Sequence, residues 1–179
     1  MKKQCSALFW MILSFLLLTA CSAKDMTESV ELIPEYISND SLLLSLDAGD
    51  GCDMQVKLWK LDDAEWSLMN VSVISAKGQD MLTLDFGRMF KGLTVLTETD
   101  GGYSLNPTPD STDGPKGFQM YIRTIQESVL LVPEEDVPII IQAFGEGDEV
   151  ADISPEMFNE PESLNEYYDA YVLSLCVQK

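Results

Sequence analysis

Histidine is missing from all 179 residues of the chain. That excludes serine–histidine and cysteine–histidine hydrolases and every histidine-ligated metal site. Basic residues are scarce, with eleven Lys and Arg against thirty Asp and Glu. Nucleic acid is therefore excluded as a partner, because phosphate binding needs a basic surface. The four cysteines, Cys5, Cys21, Cys52 and Cys176, form no closely spaced pair of the zinc-binding kind. Neither a phosphate-binding Walker loop nor a dinucleotide fingerprint occurs, and Gly145-Glu146-Gly147 reads only as a turn. Long apolar runs are lacking beyond the N-terminus, so no second segment reads as a membrane span.

The N-terminus has a character of its own. Lys2 and Lys3 give it a positive start, Ala7 to Leu18 is apolar, and no acid occurs before Asp25. A charged start, a short apolar run and small residues at its end describe a secretory signal. The run closes on Leu18-Thr19-Ala20-Cys21. This resembles the lipobox of bacterial lipoproteins: a branched apolar residue, two small ones, then cysteine. The resemblance covers only this terminus. It implies removal of residues 1–20 and attachment of lipid, palmitate included, to Cys21. Two acyl chains hold a protein stably where one does so marginally. The implied address is the extracytoplasmic face of a membrane, without a transmembrane helix. Ser22 stands where some lipoproteins carry an inner-membrane retention aspartate, which points to an outer membrane if the cell has one.

Cleavage would remove Lys2 and Lys3 and no acid. Nine basic residues then face thirty acidic ones, a formal charge of −21. Such a body repels anionic headgroups, so lipid would have to do the anchoring. Its charge suits solubility, and its expected partners are cations, neutral glycans or basic envelope proteins. Apolar residues are too plentiful and periodic for a disordered acidic chain. Cys52 and Cys176 remain in the body, and an extracytoplasmic address permits a disulfide between them. Two buried free thiols fit the sequence equally well.

Residues 21–38 read as a lipidated N-terminus and tether, and 39–179 as one domain. Ser41 to Ala48 is a short apolar run bounded by turn residues, as in a buried strand. Asp53 to Leu61 alternates strictly, and Glu65 to Ser75 is its return strand. A turn centred on Asp62-Asp63 places Lys60 opposite Glu65, Val56 opposite Met69, Met54 opposite Val71 and Cys52 opposite Val73. The other face then pairs Gln55 with Asn70 and Trp59 with Trp66. Leu68, opposite Lys57, fits poorly.

Further strands are expected at 81–90, 93–98, 118–126, 129–132, 137–144 and 171–177, with Pro138 at a strand start. Residues 100–117, rich in Gly, Pro, Asp, Ser and Thr, read as a long loop. Ser154-Pro155-Glu156 and residues 162–167 suggest short helical turns. Many short strands between turn signals predict a mostly β fold, a single antiparallel β-sandwich. An immunoglobulin-like layout is one form it could take, although the cysteine–tryptophan–cysteine spacing of true immunoglobulin domains is missing.

Three constellations could carry chemistry. Trp59 and Trp66, with Tyr103 from the long loop, could stack on a sugar ring; equally, the pair could be a covered hairpin contact. Asp47, Asp50 and Asp53 crowd one turn with oxygen ligands suited to calcium, without the alternate spacing of an EF-hand. Asp110, Asp113 and the Glu146–Glu149 stretch are lesser acidic clusters. Two carboxylates suffice for glycoside hydrolysis, but thirty acids guarantee such a pair by chance. The sequence thus points to a non-enzymatic binding or assembly module of the cell envelope. A carbohydrate-binding module is the first alternative and a carboxylate-based hydrolase the second.

Overall fold

The computed structural model describes residues 29–38, 40–88, 92–97, 101–105, 118–146 and 152–178. Among them run β1 (Val30–Ile37), β2 (Ser41–Asp47), β3 (Cys52–Asp62), β4 (Glu65–Ala76), β5 (Gln79–Arg88) and β6 (Gly92–Thr97). Then come β7 (Gly101–Leu105), β8 (Gln119–Thr124), β9 (Val129–Leu131), β10 (Val137–Gly145) and β11 (Asp169–Val177). One sheet has the order β7-β6-β5-β2-β1-β9 and the other β4-β3-β11-β10-β8. Every strand pair within them is antiparallel. The fold is a mostly β sandwich, as its alternating strands require. Eleven strands in this order exceed the roughly seven to nine of immunoglobulin domains, so nothing favours that finer layout.

Alternation decides which residues meet between the sheets. Leu42, Leu44 and Leu46 of β2, with Leu82, Leu84 and Phe86 of β5, supply one wall of the core. Met54, Val56 and Leu58 of β3, with Leu173 and Leu175 of β11, supply the other. Strands β10 and β11 are buried on both faces, which explains their nearly unbroken apolar runs. Their outer face is covered by residues 152–168, which carry two 3₁₀ turns, Pro155–Asn159 and Pro161–Leu164. Ile153 and Leu164 from this strap close a second small core on Ile141, Ala143, Ala170 and Val172. Each turn starts on a proline, whose missing N–H costs nothing at that position.

Three expectations need correction. Residues 30–37 are not tether but β1, seated between β2 and β9. Pro34 is tolerated there because β9 pairs only with residues 30–32, and the register slips between Pro34 and Tyr36. The segment 100–117 is not all loop, since residues 101–105 form the edge strand β7.

The hairpin is real but differently centred. Asp63 and Ala64, both at positive φ (49° and 63°), form a two-residue turn that pairs Asp62 with Glu65. A bulge then leaves Met69 without a partner in the ladder, because Trp59 opposes Leu68 while Leu58 opposes Asn70. Met54 consequently faces Ile74 and Cys52 faces Ala76. Val71 and Val73 turn outward and are about half exposed, at 45% and 50%.

Candidate functional site

On the outer face of the β4-β3-β11-β10-β8 sheet, Leu61 pairs with Trp66 and Trp59 with Leu68. The tryptophans are therefore diagonal neighbours on one face rather than directly opposed. Phe158, from the first 3₁₀ turn, stands against both indoles, its ring centroid 5.5 Å from Trp59 and 5.4 Å from Trp66. Both indole N–H groups are engaged: Trp66 donates to the Phe158 carbonyl and Trp59 to Ser174 Oγ, each at 2.9 Å. The aromatic pair thus has a third ring as its ligand. This arrangement suits strap attachment better than sugar stacking. Tyr103 lies on β7, in the other sheet.

A polar chain continues from Trp59. Ser174, fully buried, donates to Asp136 Oδ1 at 3.0 Å, and Lys57 pairs with the same carboxylate at 3.0 Å. The Lys57 ammonium also lies 5.9 Å from the centre of the Trp59 ring. Asp136 reaches this place because Glu134 N–H bonds the Val177 carbonyl and Pro133 bridges to Val177, tucking the segment after β9 against β11. Sequence reading missed this chain. Its signal is Ser174, a single hydroxyl inside the apolar run of β11 that must find a partner once buried.

A second cluster closes the end of the sheet. Tyr171 O–H donates to Asp169 Oδ2 at 3.0 Å, and Lys60 lies 3.5 Å from Asp169 Oδ1. Burial pushes the Asp169 carboxyl above its ordinary value, although Lys60 and the Tyr171 hydrogen bond pull the other way. The ion pair is long and Lys60 half exposed, so burial wins. Burial and the neighbouring carboxylate push Tyr171 upward in turn. Nearby, Gly145 allows close approach of two rings: a Cβ there would meet Tyr167 at 3.2 Å and Tyr121 at 3.3 Å.

The aspartate turn is not assembled as a cation site. Asp47 ends β2 and Asp53 lies in β3, strands of different sheets. Asp47 Oδ1 accepts the Gly49 N–H at 3.0 Å, and Asp53 Oδ1 accepts the Ser75 hydroxyl at 2.6 Å, while Asp50 is exposed. Among the described residues, no group of three or more His, Cys, Asp or Glu is placed to hold a metal ion. Asp110, Asp113 and residues 147–149 lie outside the described residues, as does Cys21.

Cys52 and Cys176 are free thiols, not a bridge. Cys52 shares the inner face of its sheet with Met54 and packs on the main core. Cys176 opposes Gln55, on the outer face with Ser174. The sheet itself separates them, so no rotamer could join them. Burial pushes both thiols above their ordinary values, which keeps them protonated and poorly nucleophilic.

No protein family, curated protein or solved structure matches the chain.

Proposed function

We propose that this chain is an extracytoplasmic lipoprotein, held to a membrane through acylated Cys21, whose body is a non-enzymatic binding or assembly module of the cell envelope. The observation that carries the reading is Leu18-Thr19-Ala20-Cys21 at the end of a Lys-led apolar run. Two features of the body bear on it. No helix among the described residues is long and apolar enough to cross a membrane. The polar chain from Trp59 to Asp136 and the cluster around Asp169 serve to join strands and strap, as in a scaffold. The proposed address is the outer membrane of a two-membrane cell, given Ser22.

Mass spectrometry of the membrane-extracted protein tests this directly. The expected mature chain begins at Cys21 and carries a diacylglyceryl group, with a further acyl chain where the cell adds one. An unmodified Cys21, or a mature N-terminus elsewhere, would overturn the proposal.

A further inference from the structure

A cavity of about 380 Å³ opens between the two sheets along β8. Its apolar walls are Ile37 at the end of β1, Phe86 of β5, and Met120 and Ile122 of β8. Met120 is 43% exposed and forms a pliable side of the opening. The volume falls in the range of small-molecule sites.

Two polar groups bear on this cavity, one in its lining and one behind the lining residue Met120. Gln142 of β10 points inward, directly opposite Ile122, and is fully buried. Its Nε2 reaches only the Met120 sulfur, at 3.1 Å, and its Oε1 has no hydrogen-bond partner. A buried amide oxygen left without a donor is costly; Gln142 does not itself line the cavity but lies behind Met120, which does, so a ligand reaches it only when that flexible side chain moves. The second group is Arg123, which borders the cavity. Its Nη1 bonds the neighbouring Ile122 carbonyl at 2.8 Å. The ion pairs found among the described residues engage Lys57 and Lys60, leaving Arg123 without a carboxylate there despite thirty acids in the chain.

We propose that this cavity binds a small amphiphile: an apolar body, one hydrogen-bond donor for Gln142 Oε1, and an anionic group such as a carboxylate for Arg123. The apolar body lies on Ile37, Phe86 and Ile122, and Met120 swings aside to admit it. The donor enters behind Met120. The anion stays at the rim, where the guanidinium meets water. Ser38, Thr124 and Gln126 add polar groups to the lining, where hydroxyl or amide groups of the ligand could also bond. This site does not depend on the anchor at Cys21.

The test uses 8-anilino-1-naphthalenesulfonate, which combines an apolar double ring, one N–H and one sulfonate. The full chain, labelled with ¹³C at methionine methyls and held in detergent micelles, is titrated with the dye. The Met120 methyl should shift and saturate, while Met54, in the core away from the cavity, stays unmoved. Arg123→Gln lies on an edge strand and should fold normally, yet weaken binding about tenfold or more, as for a lost charge-assisted bond. Gln142→Leu should weaken it about fivefold, the scale of a neutral hydrogen bond. No saturable Met120 shift in the unsubstituted chain would overturn the proposal. So would unchanged affinity in both variants.

Discussion

Trp59 and Ser174 meet across the pairing of β3 with β11, indole N–H to hydroxyl oxygen at 2.9 Å. The contact sits where the sandwich, the strap and the Asp136 segment converge. Because Ser174 also donates to Asp136, one hydroxyl satisfies both a tryptophan and a carboxylate.

Ser174→Ala should therefore cost more than an ordinary hydroxyl deletion. It strips the Trp59 N–H of its acceptor and Asp136 of a donor, and about 1–3 kcal/mol is expected for such orphaned groups. Urea unfolding followed by tryptophan fluorescence measures it. A loss within experimental error would mean that water replaces the hydroxyl without penalty.

Phe158→Ala tests what holds the strap. It removes the ring between Trp59 and Trp66 and opens the outer face of the sheet. The expected loss is about 2–4 kcal/mol, near the low end for aromatic truncations because Phe158 is only partly buried. Tryptophan emission should shift to longer wavelength as both indoles meet water. An unchanged spectrum would show that the ring does not shield them.

The hairpin turn offers a change of opposite sign. Ala64 holds φ at 63°, a left-handed conformation that glycine adopts freely. Ala64→Gly should stabilise the protein by about 0.5–1 kcal/mol, since aspartate followed by glycine is well suited to a two-residue turn. Thermal unfolding decides it, and a lowered midpoint would contradict the turn geometry.

Asp169 predicts a pH dependence. Its carboxyl is raised in the folded protein, so the fold holds that proton more tightly than the unfolded chain does. Ionisation thus subtracts stability above the folded value, and the loss is recovered as pH falls towards the ordinary 3.8. Asparagine resembles the protonated form. Asp169→Asn should accordingly be the more stable protein at pH 7, with the difference fading below pH 3.8. Unfolding midpoints across that range would refute this if the variant were less stable at neutral pH.

Much of this architecture is legible in the sequence, and the misreadings have local causes. The alternation from Asp53 to Leu61 correctly announces β3. Leu68, the residue that fits the simple pairing poorly, marks the bulge at Met69, which reverses the inward and outward positions of β4. Pro34 and the charges around it disguise β1 as tether, because nothing local reveals that β9 stops short of the proline. Gly101 and Gly102 hide β7 among turn residues. Gln142 stands alone in an apolar run, as Ser174 does, and a lone polar residue in such a run marks a buried polar site by pattern alone. Their partners, Met120 and Asp136, are far along the chain, so pattern could not supply them. The Trp pair is visible, but its cover is not: Phe158 arrives from 92 residues beyond Trp66.

That β1 starts at Val30 fixes the length of a leash. With lipid on Cys21, nine Cα steps separate the bilayer surface from the first residue of the sandwich, a span of at most about 30 Å. A tether reaching to residue 38 would have allowed roughly twice that. So anchored, the domain would stay near the surface rather than patrol the space above the membrane. Partners would then have to come within reach of that span and the domain's own diameter.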